Sequence, residues 1–293
     1  MISPGKELAM FEYIRTLQIG AATVTIINIG HLQMDLAAAL NLPAETRSSP
    51  EAAPIAQPVQ LPVQCVYIAL PQISVLVDAS RYHLPPDSPL LIPGYRPPPG
   101  LLAGLAELGI APEAITHVVI THAHFDHYNG TILEDDGAYT PAFPNARHYL
   151  GRPDWDRPET QNALRNPESL ESHTLAILHR QGLLDLVQGN RDLGQGLQII
   201  AAPGESPGHQ IVRLHSQGQT LYCLGDLYHH QVEVEHPDWM VHWAARDATS
   251  RSRQSLAAAA LAEDALLVAT HIPIPGRLQQ TATGITWTAA YPP

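Results

Sequence analysis

The chain is organised around the segment Thr121-His122-Ala123-His124-Phe125-Asp126-His127-Tyr128-Asn129-Gly130, which follows an apolar run over residues 115–120. A short run of this kind reads as a buried strand. Three imidazoles and a carboxylate are therefore delivered together at a strand end. In extended backbone alternate side chains share a face, which predicts that His122, His124 and Asp126 converge. A helical turn starting near Asp126 would swing His127 toward the same side. Neutral imidazole and carboxylate are the donors that suit zinc, iron or manganese. A solvated run of titratable residues is the plainer alternative, and so dense a cluster of histidine argues against it. The segment reads as a metal site.

Apolar residues make up 45% of the chain and charged residues only 15%, which favours a substantial core over disorder. A net charge of −12 weighs against nucleic acid or an anionic membrane as the main partner. Cys65 and Cys223 lie far apart inside apolar runs, without a Cys-x-x-Cys motif, and read as buried structural thiols. No basic region followed by a long apolar core opens the sequence, and no apolar stretch approaches about eighteen residues. The expectation is a soluble cytoplasmic protein acting on a small molecule, which could also pair as a homodimer.

Turn and breaker residues divide the chain. Residues 1–17 are mixed and suggest a short helix or a loose arm, with residues 1–20 as its outer limit. Residues 22–30 are rich in β-branched side chains and end on glycine, which predicts a strand. The proline-rich segments 43–62 and 84–100 predict extended loops, because proline removes a backbone donor and resists both helix and central strand. Residues 63–70 and 73–78 read as a hairpin, 101–108 as a helix stopped by Gly109, and 148–150 as a short strand. The spacing of Leu170, Leu175, Ile177, Leu178 and Leu184 predicts one helix over 167–186. Strands are expected at 197–201, 211–214, 220–224 and 266–269, with an alanine-rich helix at 252–263. Strands and helices alternate in clumps, which suggests two packed sheets with helices outside them.

Three later strand ends also carry ligand-type residues: Ala202-Pro203-Gly204-Glu205-Ser206-Pro207-Gly208-His209, Leu224-Gly225-Asp226 and Ala269-Thr270-His271. Together with His122-x-His124-x-Asp126-His127, this order resembles the metallo-β-lactamase superfamily over about residues 20–275. The resemblance implies a single α+β domain across 1–293, an αββα sandwich, with two divalent metals at one edge. Those metals would be zinc, with manganese or iron as alternatives. It implies that His122, His124 and the histidine of the Pro-Gly-His loop hold one ion. Asp126, His127 and His271 would hold the second, and Asp226 would bridge the pair.

The loop departs from the doubled Thr-Pro-Gly-His-Ser-Pro-Gly-His of lactonase-like members. A gapless match puts Glu205 at the ligand position, whereas a reseated loop would use His209. The flanking strands favour Glu205; ligand chemistry and the Pro-Gly-His match favour His209, to which the reading inclines. A carboxylate there would make the site harder and more tolerant of manganese or iron.

The implied reaction is metal-assisted hydrolysis by a metal-bridging hydroxide, with Asp126 orienting it and passing a proton to the leaving group. Gly225-Asp226-Leu227 followed by His229-His230 looks like the branch of acyl-homoserine lactonases and methyl-parathion-type phosphotriesterases. A tyrosine there helps hold the substrate oxyanion; Tyr228 is near, but that position falls at His229. Both are candidate catalytic residues, with ordinary packing as the alternative. The expected substrate is a small ester or lactone. Alternatives on the same fold are a glyoxalase II-type thioesterase, which would need a basic cluster from Arg246, Arg251, Arg253 and Arg277, and a mononuclear-iron persulfide dioxygenase.

Overall fold

A computed structural model describes residues 13–291. Its strands form two seven-stranded sheets and one small hairpin. The first sheet contains β1 (Ile14–Ile19), β2 (Ala22–Met34), β3 (Val59–Ala69), β4 (Ser74–Val77) and β5 (His117–Val119). The separate hairpin is β6 (Ile132–Asp135) with β7 (Ala138–Pro141), after which β8 (Arg147–Gly151) and β9 (Leu184–Val187) complete the first sheet. The second sheet runs in chain order through β10 (Arg191–Gly194), β11 (Leu197–Ala201), β12 (Gln210–Ser216), β13 (Gln219–Cys223), β14 (Leu266–Val268), β15 (Gly276–Gln280) and β16 (Ile285–Ala289).

The apolar runs are continuous because both faces of each sheet are covered. Val75, Val77 and Val119 face Leu221, Cys223, Leu266 and Val268 in the core between the sheets. Their neighbours Leu76, Val118 and Ile120 turn outward, onto the helices Leu101–Glu107 and Leu175–Arg180. Tyr222, Leu224 and Leu267 pack beneath Leu256 and Ala260 of the helix Arg246–Ala262. This two-residue alternation across a doubly covered sheet produces the expected αββα sandwich.

β4, β5, β8 and β9 run parallel, as do β13 and β14. Parallel strands finish at the same edge, so the loops that follow them gather there. That edge carries the ligand-type residues.

Several expectations need correction. Residues 14–19 form strand β1 rather than an arm, its backbone paired antiparallel with β2 and its Leu17 and Ile19 buried in the core between the sheets; residues 1–12 lie outside the described region. The segment 43–62 is not one extended loop. It contains a helical turn at Ala44–Arg47, a 3-10 turn at Pro50–Ile55 and the start of β3. Ala52 and Ile55 are buried with Leu36, Val232 and Val241, which ties this segment to the loops after β13. Pro62 sits within β3 opposite His31, beyond the part of β3 that β4 flanks. Its carbonyl is directed at His271, and an extended residue turns N–H and C=O to the same side, so the missing donor interrupts no ladder bond with β2.

The single helix expected over 167–186 breaks into Leu170–His173 and Leu175–Arg180. Thr174, at φ −123° and ψ −85°, leaves helical backbone and its hydroxyl donates to the Leu170 carbonyl. Gly182 then takes φ +70°, and Leu184 joins β9. No helix among the described residues is long and apolar enough to cross a membrane.

Candidate metal centre

Each candidate ligand follows a strand. His122 and His124 come after β5 in an irregular loop, and a single helical turn, Phe125–Tyr128, starts before Asp126. That turn separates what extended alternation would have put together. His122 and His124 join Glu205 and Asp226, their ligand atoms all within 4.8 Å of one another, while Asp126 joins His127 and His271 under the same limit. Asp226 touches both groups. Its Oδ2 is 3.7 Å from His122 Nε2, 3.3 Å from His127 Nε2 and 3.3 Å from His271 Nε2.

The surrounding residues fix the direction of each ring. His127 Nδ1 donates to Asp78 Oδ2 at 2.8 Å and His271 Nδ1 to the Pro62 carbonyl at 2.7 Å, which turns both Nε2 lone pairs inward. Asp78 also accepts from the Thr121 N–H and hydroxyl at 2.7 and 3.0 Å, and Thr121 Oγ1 lies 3.1 Å from His122 Nδ1. Asp154, fully buried, accepts from Ala123 N–H, Ser206 Oγ and Gly208 N–H, and so joins the histidine loop to the loop of Glu205. Gly225 takes φ +53° against Thr121 and His209, where a Cβ would lie 2.7 Å from the Thr121 Cβ. Sequence reasoning passed over Asp78, Asp154 and Thr121. Asp78 had a local signal, a carboxylate ending an apolar run; Asp154 had none.

Glu205, rather than the favoured His209, enters the first group. Glu205 Oε2 is 3.3 Å from His122 Nε2, and Oε1 is 3.1 Å from His124 Nδ1. His209 is buried nearby, but backbone takes both of its nitrogens: Nδ1 is 3.0 Å from the Ala202 carbonyl, and Nε2 accepts the Asp226 N–H at 3.2 Å. The short turn closed by Gly204 N–H to the Ser206 carbonyl and Ala202 N–H to the His209 carbonyl imposes this seating.

Of the two candidate catalytic residues after Asp226, only His229 reaches the cluster, its Nε2 3.4 Å from Asp226 Oδ2 and its ring stacked on His271 at 5.8 Å. Tyr228 turns the other way into the core beneath the helix Arg246–Ala262, with the Arg253 guanidinium 4.5 Å above its ring. Burial, little opposed by that guanidinium, pushes its phenol up to about 12. A cavity of about 560 Å³ adjoins Tyr228 and Arg253, and none of the clustered histidines lines it.

Four buried atoms of the two donor groups lack hydrogen-bond partners: His122 Nε2, His127 Nε2, Glu205 Oε2 and Asp226 Oδ1. Orphaned donors and acceptors of this kind are costly. Burial, reinforced by His127 and His124, holds His122 well below the usual imidazole range and leaves its lone pair available. Burial opposes charge on His127 and His271 too, but Asp226 and Asp126, joined at His127 by Asp78, together outweigh it and pull both upward. With their protons released, the inward imidazole nitrogens and buried carboxylates form two donor groups of the kind that suits a divalent cation. His124 keeps 36% of its side chain exposed and marks the open side of the site.

A family model described as "Metallo-beta-lactamase superfamily" matches residues 60–271. An N-acyl homoserine lactonase of Bacillus cereus is 23% identical over 180 residues, covering 57% of this chain and 63% of that protein. The match thus spans less than two thirds of that relative's length. Among solved structures, AidC, a dizinc quorum-quenching lactonase in complex with a product, superposes with a TM-score of 0.74 at 18% identity, covering 96% of this chain and 98% of that one. A protein of Staphylococcus aureus described as "a probable metal-dependent hydrolase" gives a TM-score of 0.72 at 19% identity, covering 94% and 100%.

Proposed function

Because the chain belongs to the metallo-β-lactamase superfamily, we propose that it is a dinuclear metal-dependent hydrolase of a small ester or lactone of the acyl-homoserine-lactone type. One observation carries the reading: two groups of buried donors share Asp226 and leave four inward atoms unpartnered. His122, His124, Glu205 and Asp226 would hold one ion, and Asp126, His127, His271 and Asp226 the other. Zinc fits both sets, and the added carboxylate of Glu205 suits manganese or iron as well. When bound, such a pair acidifies water to a nucleophile near neutral pH and polarises the carbonyl under attack.

The chain's own residues supply the rest. Asp126, with Oδ2 3.6 Å from His271 Nε2, would accept a proton and pass it to the leaving alkoxide. His229 Nε2–H faces Asp226 and fixes the orientation of the shared carboxylate. No thiol competes as nucleophile: burial pushes Cys65 up to about 12 and raises Cys223 as well. An anionic thioester is less well served, since Arg253 is buried against Glu233 and Arg277 pairs with Asp264.

His122, His124 and Glu205 also form a two-histidine, one-carboxylate set, which suits mononuclear iron(II) and dioxygen chemistry. Metal content per chain separates the readings. Protein purified without added metal is expected to carry two ions, Glu205→Ala one, and His209→Ala two, with ring opening of an N-acyl homoserine lactone followed by proton release. A single iron per wild-type chain with no lactone hydrolysis would reject the hydrolase and direct assays to persulfides.

A further inference from the structure

We propose that Trp243 is a positioning residue for the first metal group, holding the Glu205 carboxylate so that Oε2 is the oxygen presented to the ion. This rests on the reading of the cluster as a metal centre. The Trp243 indole Nε1–H donates to Glu205 Oε1 at 2.8 Å, the oxygen that also lies 3.1 Å from His124 Nδ1, while Oε2 is buried, unpartnered and 3.3 Å from His122 Nε2. An indole can donate but cannot ligate, and being neutral it leaves the carboxylate charge intact. A glutamate side chain has several free torsions, and fixing one oxygen removes the entropy that chelation would otherwise have to overcome.

The backbone supports the same pairing. Ala245 N–H donates to the Gly204 carbonyl at 2.7 Å, and Thr249 N–H to the Ala245 carbonyl at 2.9 Å. Gly204, at φ +148°, lies so close to the first turn of Arg246–Ala262 that a Cβ would be 2.5 Å from the Thr249 Cα. The residue before Glu205 is therefore tied to the segment just after Trp243. The ring also meets His229, whose Nε2 faces Asp226, edge-on at 5.9 Å. Trp243 remains 41% exposed, at a position that packing does not require a large apolar residue to fill.

Trp243→Phe keeps a ring and deletes the donor, and Glu205→Gln keeps an acceptor and deletes the anionic ligand. Zinc-loaded proteins would be titrated with a chelator, and ¹⁵N-labelled indole signals followed by NMR during loading. The chain has four tryptophans, so the signal missing from Trp243→Phe assigns itself. Trp243→Phe is expected to bind one of two ions about tenfold more weakly, in the range seen when a ligand loses its orienting partner. Glu205→Gln should lose the same ion, and the Trp243 indole should shift as that ion binds in wild type. Thermal unfolding checks that each variant is folded. Two ions held as tightly in Trp243→Phe as in wild type, or an indole signal indifferent to loading, would overturn this role alone. A wild-type chain that binds no zinc would overturn the metal-centre reading together with it.

Discussion

Removing the Arg253 guanidinium should destabilise the fold behind Asp226 without removing a candidate ligand. Glu233 is fully buried; its Oε1 accepts the His229 and His230 N–H groups at 2.7 and 3.0 Å, and its Oε2 meets the Arg253 guanidinium. Arg253 also donates to the Leu227 and Trp239 carbonyls, each at 2.9 Å. Burial alone would raise the Glu233 carboxyl, but Arg253 and the His229 hydrogen bonds bring it down from 4.5 to about 2. At about 1.4 kcal/mol per pH unit, that shift corresponds to about 3 kcal/mol. Breaking a buried pair by deleting one partner typically costs about 3–5 kcal/mol, which agrees.

Arg253→Met keeps the apolar stem and should lower the unfolding free energy at pH 7 by that amount in urea titrations. The sign of the pH dependence follows from a folded-state value below the unfolded one. In wild type the carboxylate contributes fully above 4.5, and its contribution is lost as pH falls through about 2. In Arg253→Met the isolated carboxylate takes up a proton more readily, so the deficit should narrow between pH 7 and pH 4. Arg253→Met/Glu233→Gln should recover part of the loss, because the amide oxygen can still accept both N–H groups. A deficit below about 1 kcal/mol at pH 7, or one independent of pH, would refute the reasoning.

Three further outcomes are expected. Asp78→Asn weakens the hold on the His127 proton, and chelator titration should show one ion bound about 10–100-fold more weakly. His209→Ala should retain two ions yet lose about 1–3 kcal/mol in denaturant unfolding, since the Asp226 N–H and the Ala202 carbonyl each lose a partner. Burial lowers His148 to about 4, so the unfolded chain takes its proton first; stability should fall by up to about 3 kcal/mol as pH drops from 6.5 to 4, and His148→Gln should flatten that slope.

The His122–His127 cluster, Asp226 and His271 were legible because each follows an apolar run, and strand ends are marked locally by hydropathy. The same periodicity announced the two sheets, whose alternate residues fill separate cores. It failed at Thr174, where a side-chain hydroxyl competes for a helix carbonyl, and at residues 14–19, whose strand depends on pairing with β2. Pro62 was excluded from a strand on a general rule that holds only where a neighbour needs its donor.

What the sequence determined by itself, then, is the set of ligand-type residues and the strands that carry them, because those properties are written in spacing along the chain. Which residues meet was decided by tertiary structure. Glu205 displaces His209 because a turn directs the imidazole back to backbone, and Trp243 reaches Glu205 across 38 positions. Asp78 turns His127 across 49, and Pro62 turns His271 across 209. Contacts over such separations form only once both sheets have packed and their loops meet at one edge, and no local pattern encodes that convergence.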